Sequence, residues 1–201
     1  GYVLLGPAAP GLIDHMADGQ RVWRLGTIEI EGVSGTWLGD LRAERATLAD
    51  ADGVWLEARD LALSWRPQDL LLGGLRLDVA RAANITLLRQ PALSEPRPSS
   101  GAGVHVRIGA LDIDELRIEE PAFGEAGVFR ASLGLDLAGE DLRLLALDLR
   151  RTDSDADRAL IAYRPDGDYQ LSVDIASAPG GILARALGVG EQGLEARAEG
   201  E

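Results

Sequence analysis

The chain has 201 residues, 46% of them hydrophobic, and a net charge of −13, so it can bury a sizeable core and is not disordered by composition. Its acidity excludes nucleic-acid phosphates and electrostatic docking on an anionic membrane surface as partners. The absence of cysteine excludes a disulfide framework, a thiol redox centre and a thiolate metal site.

No apolar run approaches the roughly 18 residues that a membrane-spanning helix needs. The opening GYVLLGP lacks an initiator Met and reads either as a processed N-terminus or as the tail of a removed anchor. In residues 11–18, Leu12, Ile13 and Met16 share one helical face by their spacing, which predicts a short amphipathic helix. His15 reads as a solvated residue of that helix.

From Leu25 onwards period-two alternation takes over, the mark of strands with one buried face. Strands are expected over 36–49, 53–66 and 74–89. Within 53–66 the apolar positions Val54, Leu56 and Ala58 change phase to Leu61, Leu63 and Trp65, as a β-bulge would produce. Pro67 opens a short helical turn over 67–72 that Gly73-Gly74 ends, and Leu75, Leu77 and Val79 resume the alternation. The spacing of Leu25, Ile28, Ile30 and Val33 returns at Ile108, Leu111, Ile113 and Leu116, an internal repeat that favours sequentially paired or stacked strands.

Residues 91–103 lack apolar periodicity and are rich in Pro, Ser and Gly, which predicts a flexible loop. Strands follow over 104–120, 126–138 and 141–152, with Leu133, Leu135 and Leu137 alternating. The run RPDGDY (164–169) signals a hairpin, Tyr169, Leu171, Val173 and Ile175 form the next strand face, and 180–187 form a short helix bounded by Gly188. The terminal GLEARAEGE reads as a strand cut off mid-pattern.

The motifs that could carry chemistry fail on inspection. Asp153-x-Asp155-x-Asp157 places Arg158 and Arg164 where an EF-hand loop needs Gly and Glu, so it reads as a polar turn. Asp50 and Asp52 read as turn chemistry before Gly53. Gly188-x-Gly190-x-x-Gly193 follows a helix, whereas a dinucleotide fingerprint must follow a strand and open a helix. His15 and His105 lie beside no nucleophile motif. The sequence therefore predicts neither an enzyme nor a bound cofactor or metal.

The series Asp50, Asp52, Gly53, Trp55, Leu56, Leu61, Leu63, Trp65, Pro67, Leu70, Leu71, Gly73 and Leu75 resembles the N-terminal periplasmic part of the TamB family, in the AsmA-like superfamily. The resemblance continues more weakly along the chain. It implies a mainly β fold, a long twisted antiparallel sheet curved into an open hydrophobic groove, with a few short helices. The expected organisation is a membrane-proximal segment (1–20), a first groove-forming β segment (21–90), the loop 91–103 and a second groove-forming β segment (104–201) that continues beyond the chain end.

The resemblance also implies a periplasmic location, with an inner-membrane anchor that precedes the chain and a TamA-type outer-membrane barrel as partner. The implied role is to shield phospholipid acyl chains during transport between the inner and outer membranes and to support outer-membrane protein assembly. Groove candidates are Val54, Leu56, Leu61, Leu63, Trp65, Leu75, Leu77, Ile113, Leu133 and Leu135. Two alternatives are a scaffold that presents strand edges to outer-membrane proteins without lipid transfer and a closed β domain with a structural role.

Overall fold

The computed structural model describes residues 27–36, 39–66, 68–69, 74–92, 105–138, 141–165 and 170–200. They form one sheet of eleven strands that does not close into a barrel. In chain order the strands are β1 (Thr27–Glu31), β2 (Ser34–Gly35), β3 (Asp40–Asp50), β4 (Gly53–Trp65), β5 (Gly74–Leu87), β6 (His105–Ile118), β7 (Gly127–Ala138), β8 (Asp141–Arg151), β9 (Asp157–Arg164), β10 (Gln170–Ser177) and β11 (Leu194–Gly200). From β3 to β11 each strand pairs with the next, while β1 and β2 both pair with β3. Two short helices, α1 (Glu120–Phe123) and α2 (Ile182–Ala186), complete the regular structure apart from 3-10 turns.

The sheet is mainly β and mostly antiparallel, as the alternation predicts. The exception is β5 with β6, which run parallel from Gly74↔His105 to Leu87↔Ile118. Parallel neighbours cannot be joined by a tight turn and need a crossover of a dozen or more residues. The stretch read as a loop (91–103) is part of that crossover, so its length follows from topology. Residues 93–104 themselves lie outside the described residues, as do the expected helix at 11–18 and the tip of the 164–169 hairpin. The two expected β segments, 21–90 and 104–201, join through the parallel pair into one sheet.

The phase changes in the sequence are matched from strand to strand. Strand β7 alternates without interruption, so Phe129, Ala131, Leu133 and Leu135 share one face. Opposite it, β6 pairs Leu116 with Phe129 and Ile113 with Ala131, so Asp114 and Glu115 together oppose the single residue Arg130. This is a β-bulge, and it brings Ile113 and Leu116 to the same face although they are three residues apart. The slip continues in register through Ile85 and Ala82 of β5, Ala58 and Leu61 of β4, and Ala46 and Ala43 of β3. A second slip pairs Leu77 and Ala80 of β5 with Ile108 and Leu111 of β6.

Local backbone chemistry permits these slips. Asp60, on the first, has φ 51, a left-handed conformation that Asp tolerates better than most residues. Gly109, on the second, leaves no room for a side chain, because a Cβ there would lie 2.5 Å from the Asp78 carbonyl oxygen. At the β3–β4 turn, Asp50 Oδ1 accepts the Asp52 N–H at 2.9 Å, and both Asp50 oxygens take the Arg89 guanidinium. The Arg89 bonds hold the Asp50 carboxyl well below the usual carboxylate range. This clamp ties the turn to the chain just past β5.

Gly109→Ala should therefore lower stability by about 1–3 kcal/mol in urea unfolding, from overpacking at the slip. Gly134→Ala, where the nearest atom to an added Cβ is 3.4 Å away, should cost clearly less. Equal losses would contradict a steric role for Gly109.

Candidate functional site

Directly paired residues in a sheet point to the same side, so the registers assemble the strand patterns into rungs. One rung runs Leu41, Leu63, Ala80, Leu111, Leu133, Leu147, Ile161, Val173, Ala198. The next joins Trp65, Leu77, Ile108, Leu135, Leu145, Tyr163 and Leu171. On the same face, flanking the first rung in the opposite direction along the strands, lies a rung of Ala43, Leu61, Ala82, Ile113, Ala131, Leu149, Ala159 and Ile175. From β3 to β11 the first of these spans about 38 Å at the usual strand spacing without a charged residue.

The other face is charged. There Arg81 pairs with Asp114 at 3.0 Å, Arg66 and Arg76 with Asp78 at 2.9 and 3.0 Å, and Arg150 with Asp148 at 2.8 Å. Arg59 and Arg45 both engage Glu57 and hold its carboxyl below the ordinary value. A hollow of about 720 Å³ on this face is lined chiefly by Arg81, Asp112, Asp114, Arg130, Asp148 and Arg150. Such exposed pairs contribute little stability each, but they keep this face in water.

Adjacent residues on the two faces can differ in exposure. Leu160, on the charged side, is 47% exposed, whereas its neighbour Ile161 on the aliphatic side is half-buried. Val79 is 52% exposed and Ala80 is 9%. The large aliphatic side chains Leu63, Leu111, Leu133, Leu147 and Val173 are all half-buried. A closed core would bury them. Their half-burial, with no second layer over the middle of the sheet among the described residues, marks the aliphatic face as open.

Closure occurs at one end. Helix α1 begins with Pro121 in its first turn and ends at Gly124 in the left-handed conformation. Helix α2 inserts Ile182, which is fully buried, against Ile118, Ala122 and Phe129, with Leu87, Leu116, Phe123 and Leu149 packed around them. The two helices cover the end of the aliphatic face bounded by Ile118 and Gly127.

A polar lock fastens this cover. The Asp157 side chain is 0% exposed and accepts from Ser177 Oγ at 2.5 Å, from the Ile182 and Leu183 amides at the start of α2, and from Arg151 at 3.0 Å. Arg151 also donates to Asp153 and Glu125 at 2.8 Å. These carboxylates, Asp153 first, hold the Arg151 pKa above its ordinary value against the effect of burial.

Nine of the ten groove candidates belong to the aliphatic face. Leu56 pairs with Leu48 and Leu87, and Leu75 with Val106; Leu61, Leu63, Trp65, Leu77, Ile113, Leu133 and Leu135 lie on the rungs above. Val54 is set apart. A register shift between Leu48 and Ala49 pairs it with Ala49 instead of the Leu56 rung, and it is 41% exposed.

The helix predicted over 180–187 is α2, whereas sequence reasoning missed α1 and the polar lock. Helix α1 has only four residues, too short for a periodicity, and Pro121 followed by Gly124 was the available signal. Asp153 and Asp157, read as turn residues, are drawn together by Arg151. Among the described residues, no group of three or more His, Asp or Glu could hold a metal ion, and no helix is long and apolar enough to cross a membrane. No protein-family model, curated protein or solved structure matches the chain.

Asp157→Ala would strand Ser177, two helix amides and part of the Arg151 charge in a buried site. We expect it to cost at least about 3 kcal/mol in urea unfolding and to raise binding of a hydrophobic dye as α2 detaches. A loss under about 1 kcal/mol with unchanged dye binding would show that the cover is held by packing alone.

Proposed function

We propose that the open aliphatic face shields phospholipid acyl chains, and that the chain is the periplasmic part of an inner-membrane-anchored, TamB-like protein. In that role it carries phospholipid between the inner and outer membranes and supports outer-membrane protein assembly with a TamA-type barrel partner. The observation that carries the reading is the unbroken aliphatic rung from Leu41 to Ala198, half-buried along most of its length and backed by a charged face. Each methylene removed from water is worth about 0.8 kcal/mol, so a 16-carbon chain left in water costs on the order of 12 kcal/mol. A continuous apolar channel removes most of that cost through non-directional contact. An acyl chain can slide along such a surface because no position binds it more specifically than the next.

The sheet edges support a second reading. Strands β1 and β11 lie at the ends of the strand order, and β11 alternates Leu194, Ala196 and Ala198 with Glu195, Arg197 and Glu199 without a proline or bulge to blunt it. An edge of this kind can accept a strand by backbone pairing, as a scaffold for outer-membrane proteins would require.

A photo-crosslinker at Leu63 or Leu77 should capture phospholipid, while one at Glu57 or Leu160 on the charged face should not. Leu63→Arg should leave the protein folded, because the site is open to water, and should reduce lipid occupancy several-fold through a charge placed beside acyl chains. A parent that captures no lipid at either position, or captures it equally on both faces, defeats the acyl-chain reading. Capture of a barrel strand along β11 by a lipid-free protein favours the scaffold.

A further inference from the structure

At the end of the sheet away from α1 and α2, the starts of β5 and β6 form a cavity of about 210 Å³ lined by Asp69, Gly74, Leu75, Arg76, His105 and Arg107. Its position joins the two faces. Leu75 belongs to the last aliphatic rung, with Val106, Leu137 and Leu142, whereas Arg76 and Arg107 belong to the charged face. Arg76 and Arg107 are direct neighbours in the parallel ladder, an arrangement that like charges disfavour.

Each arginine is held by one acid through Nε, Arg76 by Asp78 at 3.0 Å and Arg107 by Asp136 at 3.8 Å. Their terminal nitrogens make no hydrogen bond to another described residue, and the side chains are 38% and 53% exposed. His105 adds a ring bonded to Asp136 at 2.7 Å. Asp69 brings a carboxylate that forms no ion pair with a described residue.

We infer that this cavity is a headgroup site for a zwitterionic phosphoethanolamine lipid, whose acyl chains continue onto the aliphatic face past Leu75. The inference rests on the acyl-chain reading above. Two adjacent guanidinium groups fit the phosphate, since arginine forks match phosphate oxygens in pairs. Asp69 fits the ammonium, which carries three N–H donors. A purely anionic head would meet Asp69 as a repulsive neighbour, and a purely cationic one would meet the arginines. A quaternary choline offers Asp69 no N–H. The volume suits a headgroup and is too small for the chains, which leaves the aliphatic face as their place.

The test is native mass spectrometry of the whole chain with an equimolar mixture of phosphatidylethanolamine, phosphatidylglycerol and diacylglycerol bearing identical acyl chains. The parent should take up phosphatidylethanolamine at least about fivefold over each of the others. Arg76→Ala with Arg107→Ala should abolish its advantage over diacylglycerol while diacylglycerol uptake stays unchanged, which also shows that the variant is folded. Asp69→Asn should bring phosphatidylethanolamine and phosphatidylglycerol to parity. Uptake of all three lipids equally by the parent, or an unchanged preference in both variants, overturns the headgroup site and leaves the acyl-chain reading standing. Uptake of none overturns both. Saturable binding of free phosphoethanolamine or inorganic phosphate by a protein that takes up no lipid assigns the cavity to a soluble phosphate ester and also overturns the proposal.

Discussion

The architecture depends on matching phase slips between neighbouring strands. A strand that slips alone turns half of its apolar residues to the wrong face. Here the slip between Ile113 and Leu116 is copied in β5, β4 and β3, and β7 absorbs it against a bulge. The aliphatic face therefore stays continuous although no strand from β3 to β6 alternates regularly along its whole length. Bulges bend strands and increase their twist. Because these fall side by side in β3 to β6, their bends add along that part of the sheet.

From this constraint follows the asymmetry of the molecule. An open aliphatic face exposes apolar surface to water, and the fold limits that exposure in two ways. Neighbouring side chains on the same face half-bury each leucine, and α1 and α2 cover one end. The cover carries the principal buried ionic network among the described residues, centred on Arg151 and Asp157. A buried charge pair is weak evidence for stability, and its best-attested use is to fix one arrangement among several. Here it fixes where α2 starts, through the two amides that Asp157 accepts. The opposite end has no such cover among the described residues and holds the small cavity at Gly74 and His105 instead.

Much of this was legible in the sequence, because period-two alternation reports strands directly. The phase change between Ala58 and Leu61 and the repeated spacing around Ile113 were visible as irregularities. Their meaning was hidden, since a slip can be interpreted only against the partner strand. The repeat foretold sequentially paired strands, as the strand order has them, but not the length or place of its two copies. LGTIEIEGV and IGALDIDEL share a pattern, yet β1 is a five-residue edge strand and β6 a fourteen-residue central one. The parallel pairing of β5 with β6 left no local mark, because direction is set by the route of the crossover. Nor could alternation expose the lock. Asp157 is a turn residue by its neighbours, and only the fold brings Ser177, Arg151 and the start of α2 to it. Val54 fails for a similar reason, as its bulge lies opposite Leu48 and Ala49 on another strand.

The central claim is that one face of this sheet is an open, continuous acyl-chain surface. The most direct measurement is a methyl-resolved NMR titration of the protein with a short-chain phospholipid below its micelle concentration. The account predicts shifts for methyl groups of Leu63, Leu111, Leu133, Leu147 and Ile161 along one rung, with Leu160 on the opposite face unmoved. Shifts confined to the charged face, or none along the rung at saturating lipid, would contradict it.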